Sequence, residues 1–278
     1  MKAAWDQRAR SSRRWALWGA IGGGVSAAVA FAPAQWVAQA VQSATDQRLA
    51  LTQVRGSVWQ GSAVLMLTGG PGSKDATVLP GRLQWSLAPQ WGSQGGSQGG
   101  GQGPALGLTL QQDCCVPQPV TVRLQPGWGR WTFTLPAAAA SSGGWGHWPA
   151  TWLSGLGTPF NTLDLDGTLR LSTPGATLQW ADGHWQLLGE LQLDVDPMSS
   201  RLSTLDTLGR YRLILSGSTL TLSTLSGALR LNGQGQWVNS RFQFKGEAFG
   251  AEGAEGAVNN LLNLLGRREG ARAVISIG

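Results

Sequence analysis

From residue 47 to the carboxyl end, apolar and polar residues alternate with a period of two. Leu163, Leu165, Gly167, Leu169 and Leu171 take one parity, while Asp164, Asp166, Thr168, Arg170 and Ser172 take the other. Trp185, Leu187, Gly189, Leu191, Leu193 and Val195 oppose Gln186, Glu190, Gln192, Asp194 and Asp196 in the same way. Successive side chains of a strand point to opposite faces, so each run builds a strand with one apolar and one wet side. Shorter runs of this kind stand at 83–87, 120–124, 131–135, 211–215, 220–231, 242–244 and 274–277, separated by Gly, Ser and Pro turns. No long helical pattern separates them. The strands are therefore expected to pair antiparallel, giving a mainly β fold, a curved antiparallel sheet with one buried face.

Departures from the alternation locate bends and breaks. Within 220–231 the leucines move from even positions (Leu220, Leu222) to odd ones (Leu225, Leu229, Leu231). A one-residue shift carries side chains across the sheet, which predicts a β-bulge near Ser223 or Thr224. Gly167 and Gly189 fall on apolar faces, where they leave gaps for bending or close backbone approach. Gly233-Gln234-Gly235 lacks the third glycine of a dinucleotide loop and reads as a turn. Residues 92–103, GSQGGSQGGGQG, can bury no apolar area and are expected to form a flexible loop; 136–146, PAAAASSGGWG, is a second. Residues 258–265, VNNLLNLL, followed by Gly266, predict a short amphipathic carboxyl-terminal helix packed on the sheet.

The amino-terminal region is of another kind. Residues 15–34 form a 20-residue stretch without a charge, and the next charge after Arg14 is Asp46. At about 1.5 Å per residue such a helix reaches about 30 Å, the thickness of a bilayer's hydrocarbon. Five basic residues precede it, which orients the amino terminus to the cytoplasm. Trp15, Trp18 and Trp36 bracket it at headgroup depth. The expected organisation is a cytoplasmic basic tail (1–14), a transmembrane anchor with a juxtamembrane helix (15–41), and an exported β domain (48–278) reached through a single pass of the membrane. A cleaved signal peptide is the competing reading, with Ala28-Val29-Ala30 or Ala38-Gln39-Ala40 as its site.

Composition excludes several functions. The chain carries a formal net charge of +6, but five basic residues against Asp6 in residues 1–14 supply +4 of it. The remaining 16 basic and 14 acidic residues leave only +2, with no dense basic face, so no nucleic acid is expected as a partner. Two histidines, His147 and His184, lie far from the two cysteines and beside no nucleophile elbow, which leaves no material for a zinc site or a histidine-based triad. Asp164, Asp166, Asp194 and Asp196 form i, i+2 pairs that either hold a hard cation across strands or simply make up the solvated face. Trp85, Trp131, Trp180 and Trp185 share the phase of the buried face. Cys114 and Cys115 are adjacent. They form either a vicinal disulfide, which would be a redox pair, or, since neighbouring strand residues point apart, two separate thiols or bonds to another chain. No cofactor, metal or catalytic residue is expected.

Five blocks carry a resemblance. They are GSVWQGSA at 56–63, LPGRLQW at 79–85, WPA at 148–150 with LSGLGTPFNTL at 153–163, SRLSTL at 200–205 with LGRYR at 208–212, and NLLNLLGRR at 260–268. In this order they resemble the type II secretion system protein N family, from the anchor to the carboxyl end. The resemblance implies a non-enzymatic, single-pass inner-membrane component with its β domain in the periplasm, which assists export of folded proteins across the outer membrane. Its partners would be other type II secretion system proteins and the inner-membrane lipid bilayer. Its motif positions are Gly56, Trp59, Gly61, Pro80, Gly81, Trp85, Pro159, Asn161, Arg201, Tyr211, Arg212, Gly266 and Arg267, carried over as structural or contact residues. The 92–103 insert departs from the pattern. A curved sheet with one apolar face also suits a periplasmic lipid- or hydrophobe-binding module, with a bound lipid in an open apolar β groove.

Overall fold

The computed structural model describes residues 3–90, 104–158, 160–238 and 241–278. Helix α1 (Ala3–Ala30) is followed by α2 (Gln35–Ala44), with Pro33 at the break. Then come β1 (Leu49–Gly56), β2 (Gln60–Thr68), β3 (Ala76–Val78), β4 (Leu83–Gln90), β5 (Ala105–Gln112), β6 (Val116–Gly127), β7 (Arg130–Leu135) and β8 (Gly146–Pro149). A 3-10 segment (Ala150–Leu156) and α3 (Phe160–Leu163) lead into the long pair β9 (Leu165–Ala181) and β10 (His184–Ser200). The chain ends with β11 (Gly209–Ser216), β12 (Thr219–Gly227), β13 (Leu229–Val238), β14 (Arg241–Gly250), α4 (Glu255–Leu265), β15 (Arg267–Glu269) and β16 (Arg272–Ile277).

All the strands join one antiparallel sheet, ordered β1-β2-β4-β5-β6-β7-β9-β10-β11-β12-β13-β14-β16-β15, with β3 on β2 and β8 on β9. Sequential strands are mostly spatial neighbours, as short turns require. The register sets the apolar parity of each strand against that of the next. Leu193 pairs Leu171 and Leu213, and Leu213 pairs Leu222. Tyr211 pairs Val195, which pairs Leu169.

The sheet is bent over itself. Five neighbour steps separate β2 from β9, about 24 Å if the sheet lay flat at about 4.8 Å per step. The single segment Ala150–Leu156 packs on β2, β3 and β9 together. A Cβ on Gly155 would meet the Leu67 carbonyl at 2.4 Å, and Thr77 and Ser154 hydroxyls lie 2.8 Å apart. Two cores fill the inner face. One gathers Ala34, Ala38, Leu51, Ala63, Leu79 and Trp85 beneath α2. The other gathers Leu169, Val195, Tyr211, Leu229, Val258, Leu261 and Leu262 beneath α4. Trp148 packs against both.

Several sequence expectations need correction. Residues 220–231 are not one bulged strand, since the chain reverses between β12 and β13, and Leu229 and Leu231 belong to β13. A register irregularity does exist, opposite Arg210 and Tyr211, where Thr224 and Ser226 are partners and Leu225 is extra. Gly233-Gln234-Gly235 is not a turn; it lies inside β13, pairing Gly246, Lys245 and Phe244. Glycine is needed there because Cβ atoms at 233 and 235 would meet the rings of Phe244 and Phe242 at 2.5 and 2.7 Å. Leu163 closes α3 rather than opening β9. Gly266 ends α4 in an extended conformation, not a left-handed one, and a Cβ there would meet the Val274 carbonyl at 2.2 Å. Gly167 and Gly189 meet expectation: their missing Cβ atoms admit the carbonyls of Pro197 and Gly175.

Among the tryptophans in the buried phase, Trp85 is buried and Trp180 half-buried, but Trp131 and Trp185 are 42% and 54% exposed. Their phase is right, but among the described residues nothing buries that end of the face. The loop expected at 92–103 lies outside the described residues. Among those described, no helix is long and apolar enough to cross a membrane. The stretch 15–34 has the length and lacks charge, but it holds four glycines and seven alanines against Leu17, Ile21, Val25, Val29 and Phe31. Small residues contribute little to insertion.

Candidate functional site

Six of the motif positions assemble around the β1–β2 hairpin. Gly56 takes φ +92 and lies close against the Gln60 carbonyl, which only glycine tolerates. Gly61 faces the Trp85 indole so closely that a Cβ would stand 2.3 Å from the ring. Trp85 Nε1 donates to the Val58 carbonyl at 3.2 Å, and Trp59 Nε1 donates to the Val29 carbonyl at 2.8 Å. The second bond reaches the last turn of α1. Backbone bonds from Val58 to Ala32 (2.9 Å) and from Ala34 to Gly56 (3.2 Å) complete the joint. Pro80 offers its carbonyl to Gln112 Nε2 at 3.1 Å, and Gly81 turns the chain at φ +81. Next to it Arg82 donates to the Gln53 carbonyl at 2.7 Å and to Ser62 Oγ at 3.1 Å. A cleft of about 350 Å³ lies here, lined by Arg55, Gly56, Gln60, Gly61, Ser62, Arg82 and Gln84. It carries two guanidinium groups and no carboxylate.

A second group lies on the outer face of β10 and β11. Arg212 pairs Asp194 through two bonds, at 2.8 and 3.1 Å, and Arg210 pairs Asp196, with Nε to Oδ1 at 2.6 Å. The Arg210 hydrogen bond holds the Asp196 carboxyl below its ordinary value, against an opposing cost of burial. These carboxylates are thereby engaged by arginine. Asp164 likewise pairs Arg201 at 3.2 Å, in a largely exposed contact beside a cleft of about 190 Å³. Among the described residues no group of three or more His, Cys, Asp or Glu gathers to hold a metal. Tyr211 points the other way, into the core. It is 1% exposed and donates its hydroxyl to the Leu229 carbonyl at 2.8 Å; burial pushes its phenol pKa upward, so it stays a protonated donor.

The remaining motif positions lie apart. Asn161 sits in α3, bonded to its neighbour Thr162 and to the Gly157 carbonyl. Arg267 pairs Glu269 at 2.7 Å on the exposed strand β15. Pro159 lies outside the described residues. Cys114 and Cys115 form a vicinal disulfide in the turn between β5 and β6, not in a strand, which removes the objection that neighbouring side chains diverge. Cys115 is 2% exposed, and its carbonyl accepts the His147 backbone N–H at 2.8 Å, tying this turn to β8. Gln112, fully buried beside the pair, leaves its Oε1 without a partner. No alternation or motif marked Gln112, because its burial comes from strands brought together at a distance.

The marked residues thus serve a bent antiparallel sheet, where those around the first hairpin fix backbone and Arg201, Arg212 and Arg267 engage carboxylates. A family model described as type II secretion system (T2SS), protein N, matches residues 47–276, and the chain belongs to that family. As a family of secretion-system components, it implies contact with other proteins of the system. No curated protein matches the chain, and no solved structure does.

Proposed function

We propose that the chain is a non-enzymatic, inner-membrane-anchored subunit that assists export of folded proteins across the outer membrane. Its tail (1–14) stays in the cytoplasm, the part of α1 from residue 15 onward lies in the bilayer and the sheet stands in the periplasm. The observation that carries this reading is the family match over 47–276, in which the marked hairpin is also the joint to α1. Along α1 toward that joint Trp18, Ile21, Val25, Val29 and Phe31 present exposed apolar side chains. Partner contact by strand addition has little open edge to use. One edge strand, β1, has α2 packed beside it, and the other, β15, is three residues long and charged. The cationic cleft at Arg55 and Arg82 is a better contact for an acidic segment of a partner subunit.

A periplasmic reporter fused to the carboxyl terminus, together with the mass of the mature chain, tests orientation and retention. Activity of the reporter on an uncleaved chain, with co-purification of the inner-membrane platform, is the expected result. A cytosolic carboxyl terminus, or failure to co-purify with the platform together with normal secretion in a strain lacking the gene, would reject it. The hydrophobe-binding reading draws on the half-exposed inner face near Phe133 and Leu178, but α2, α4 and Ala150–Leu156 occupy much of that face, and neither cleft described above is lined by more than one large apolar side chain. Failure of delipidated protein to extract phospholipid is the expected outcome.

A further inference from the structure

Antiparallel pairing sends the turns of the sheet alternately to two rims, and the two rims differ in chemistry. The rim at which α1 joins carries the turns 57–59, 128–129, 182–183 and 217–218 and the carboxyl-terminal Gly278. The opposite rim carries 69–75, 113–115, 201–208 and 251–254. The turns of the far rim hold four acidic residues, Asp75, Asp113, Asp206 and Glu252, against two basic ones, Lys74 and Arg201, whereas among the described residues Asp182 is the one charged side chain in the turns of the near rim. The near rim instead has Arg130 and Arg241 at the first positions of β7 and β14, both exposed.

Aromatic residues follow the same division. Trp128 is fully exposed at the tip of the β6–β7 turn. Trp131, Trp180 and Trp185 are direct cross-strand partners, forming one row across β7, β9 and β10 at this rim. Trp237 is 46% exposed and lies 4.5 Å, centroid to centroid, from Phe242 at the β13–β14 end.

We infer that this rim is a second membrane-contact surface, seating Trp128, Trp131, Trp185 and Trp237 in the headgroup layer of an anionic phospholipid bilayer. The inference rests on the reading of α1 as the anchor. Indole rings combine an apolar body with a polar N–H and favour the membrane–water interface. Arg130 and Arg241 complement anionic headgroups, while the turns of the far rim carry more acidic than basic side chains. The joint at Trp59 and Val29 holds the rim beside the end of α1, so seating it costs little additional ordering.

The test uses the full chain in nanodiscs of mixed phosphatidylglycerol and phosphatidylcholine, spin-labelled in turn through Val25→Cys, Trp128→Cys and Glu252→Cys. The native cysteines are disulfide-bonded and leave the labels unique. Trp128 touches solvent alone, so its replacement leaves the fold intact. Collision with oxygen against a water-soluble nickel chelate reads lipid against water. Labels at 25 and 128 are expected to favour oxygen and the label at 252 nickel. In phosphatidylcholine alone, or with Arg130→Glu and Arg241→Glu, position 128 is expected to lose its oxygen preference while position 25 keeps it. Position 128 in water with position 25 in lipid overturns the inference and leaves the anchor standing. Position 25 in water overturns the anchor itself. Shielding of position 128 from both reagents in lipid-free detergent means a second copy covers the rim, which also overturns the inference.

Discussion

At the scale of single residues, the marked glycines and aromatics act by fit. Gly61 exists because the Trp85 ring occupies the place of its side chain. We expect Gly61→Val to cost about 1–3 kcal/mol in urea denaturation, as overpacking does, with the loss centred on the β1–β2 hairpin. Tyr211→Phe leaves the buried Leu229 carbonyl without its donor and is expected to cost about 1–3 kcal/mol in the same measurement. Asp196 answers to pH. Its folded pKa lies below the ordinary 3.8, so its contribution is present above that value and is lost as pH falls through the lower folded one. Asp196→Asn should therefore flatten the acid limb of the stability profile and leave its shape near neutrality unchanged. These residues differ in legibility. The signature and the alternation marked Gly61, Trp85 and Asp196, but that Arg210 faces Asp196 depends on the β10–β11 register.

Among elements, α4 shows how a weak helix is made stable by its seat. Its sequence was readable because leucines recur on one face. Val258, Leu261 and Leu262 are buried, while Leu264 is 45% exposed. Leu261→Ala is expected to lose about 2–5 kcal/mol, and Leu264→Ala to stay within about 0.5 kcal/mol. Thermal unfolding of the two variants separates the faces. The strands were legible wherever one face is wet and the other dry. They failed at β12–β13, where the reversal at Ala228 is too short to leave a turn signature, and at Gly233–Gly235, where glycine serves aromatic packing inside a strand.

For the molecule as a whole, Trp148 joins two cores that share no other residue. Trp148→Ala is expected to cost about 3–5 kcal/mol and to broaden or split the denaturant transition, because the halves under α2 and α4 would no longer unfold together. A single sharp transition in that variant would show that the sheet alone couples them. The amino-acid sequence by itself determined the class of fold, the antiparallel pairing and the family, because period-two alternation, turn residues and linear motifs are local properties of the chain. Only the tertiary structure decided where the sheet bends, that Cys114 and Cys115 fall in a turn, that carboxylates meet arginines, and that tryptophans in the buried phase stand uncovered at one rim. Those outcomes depend on strand register and on what packs over each end of a face, which couple residues far apart in the chain and leave no periodic trace in it.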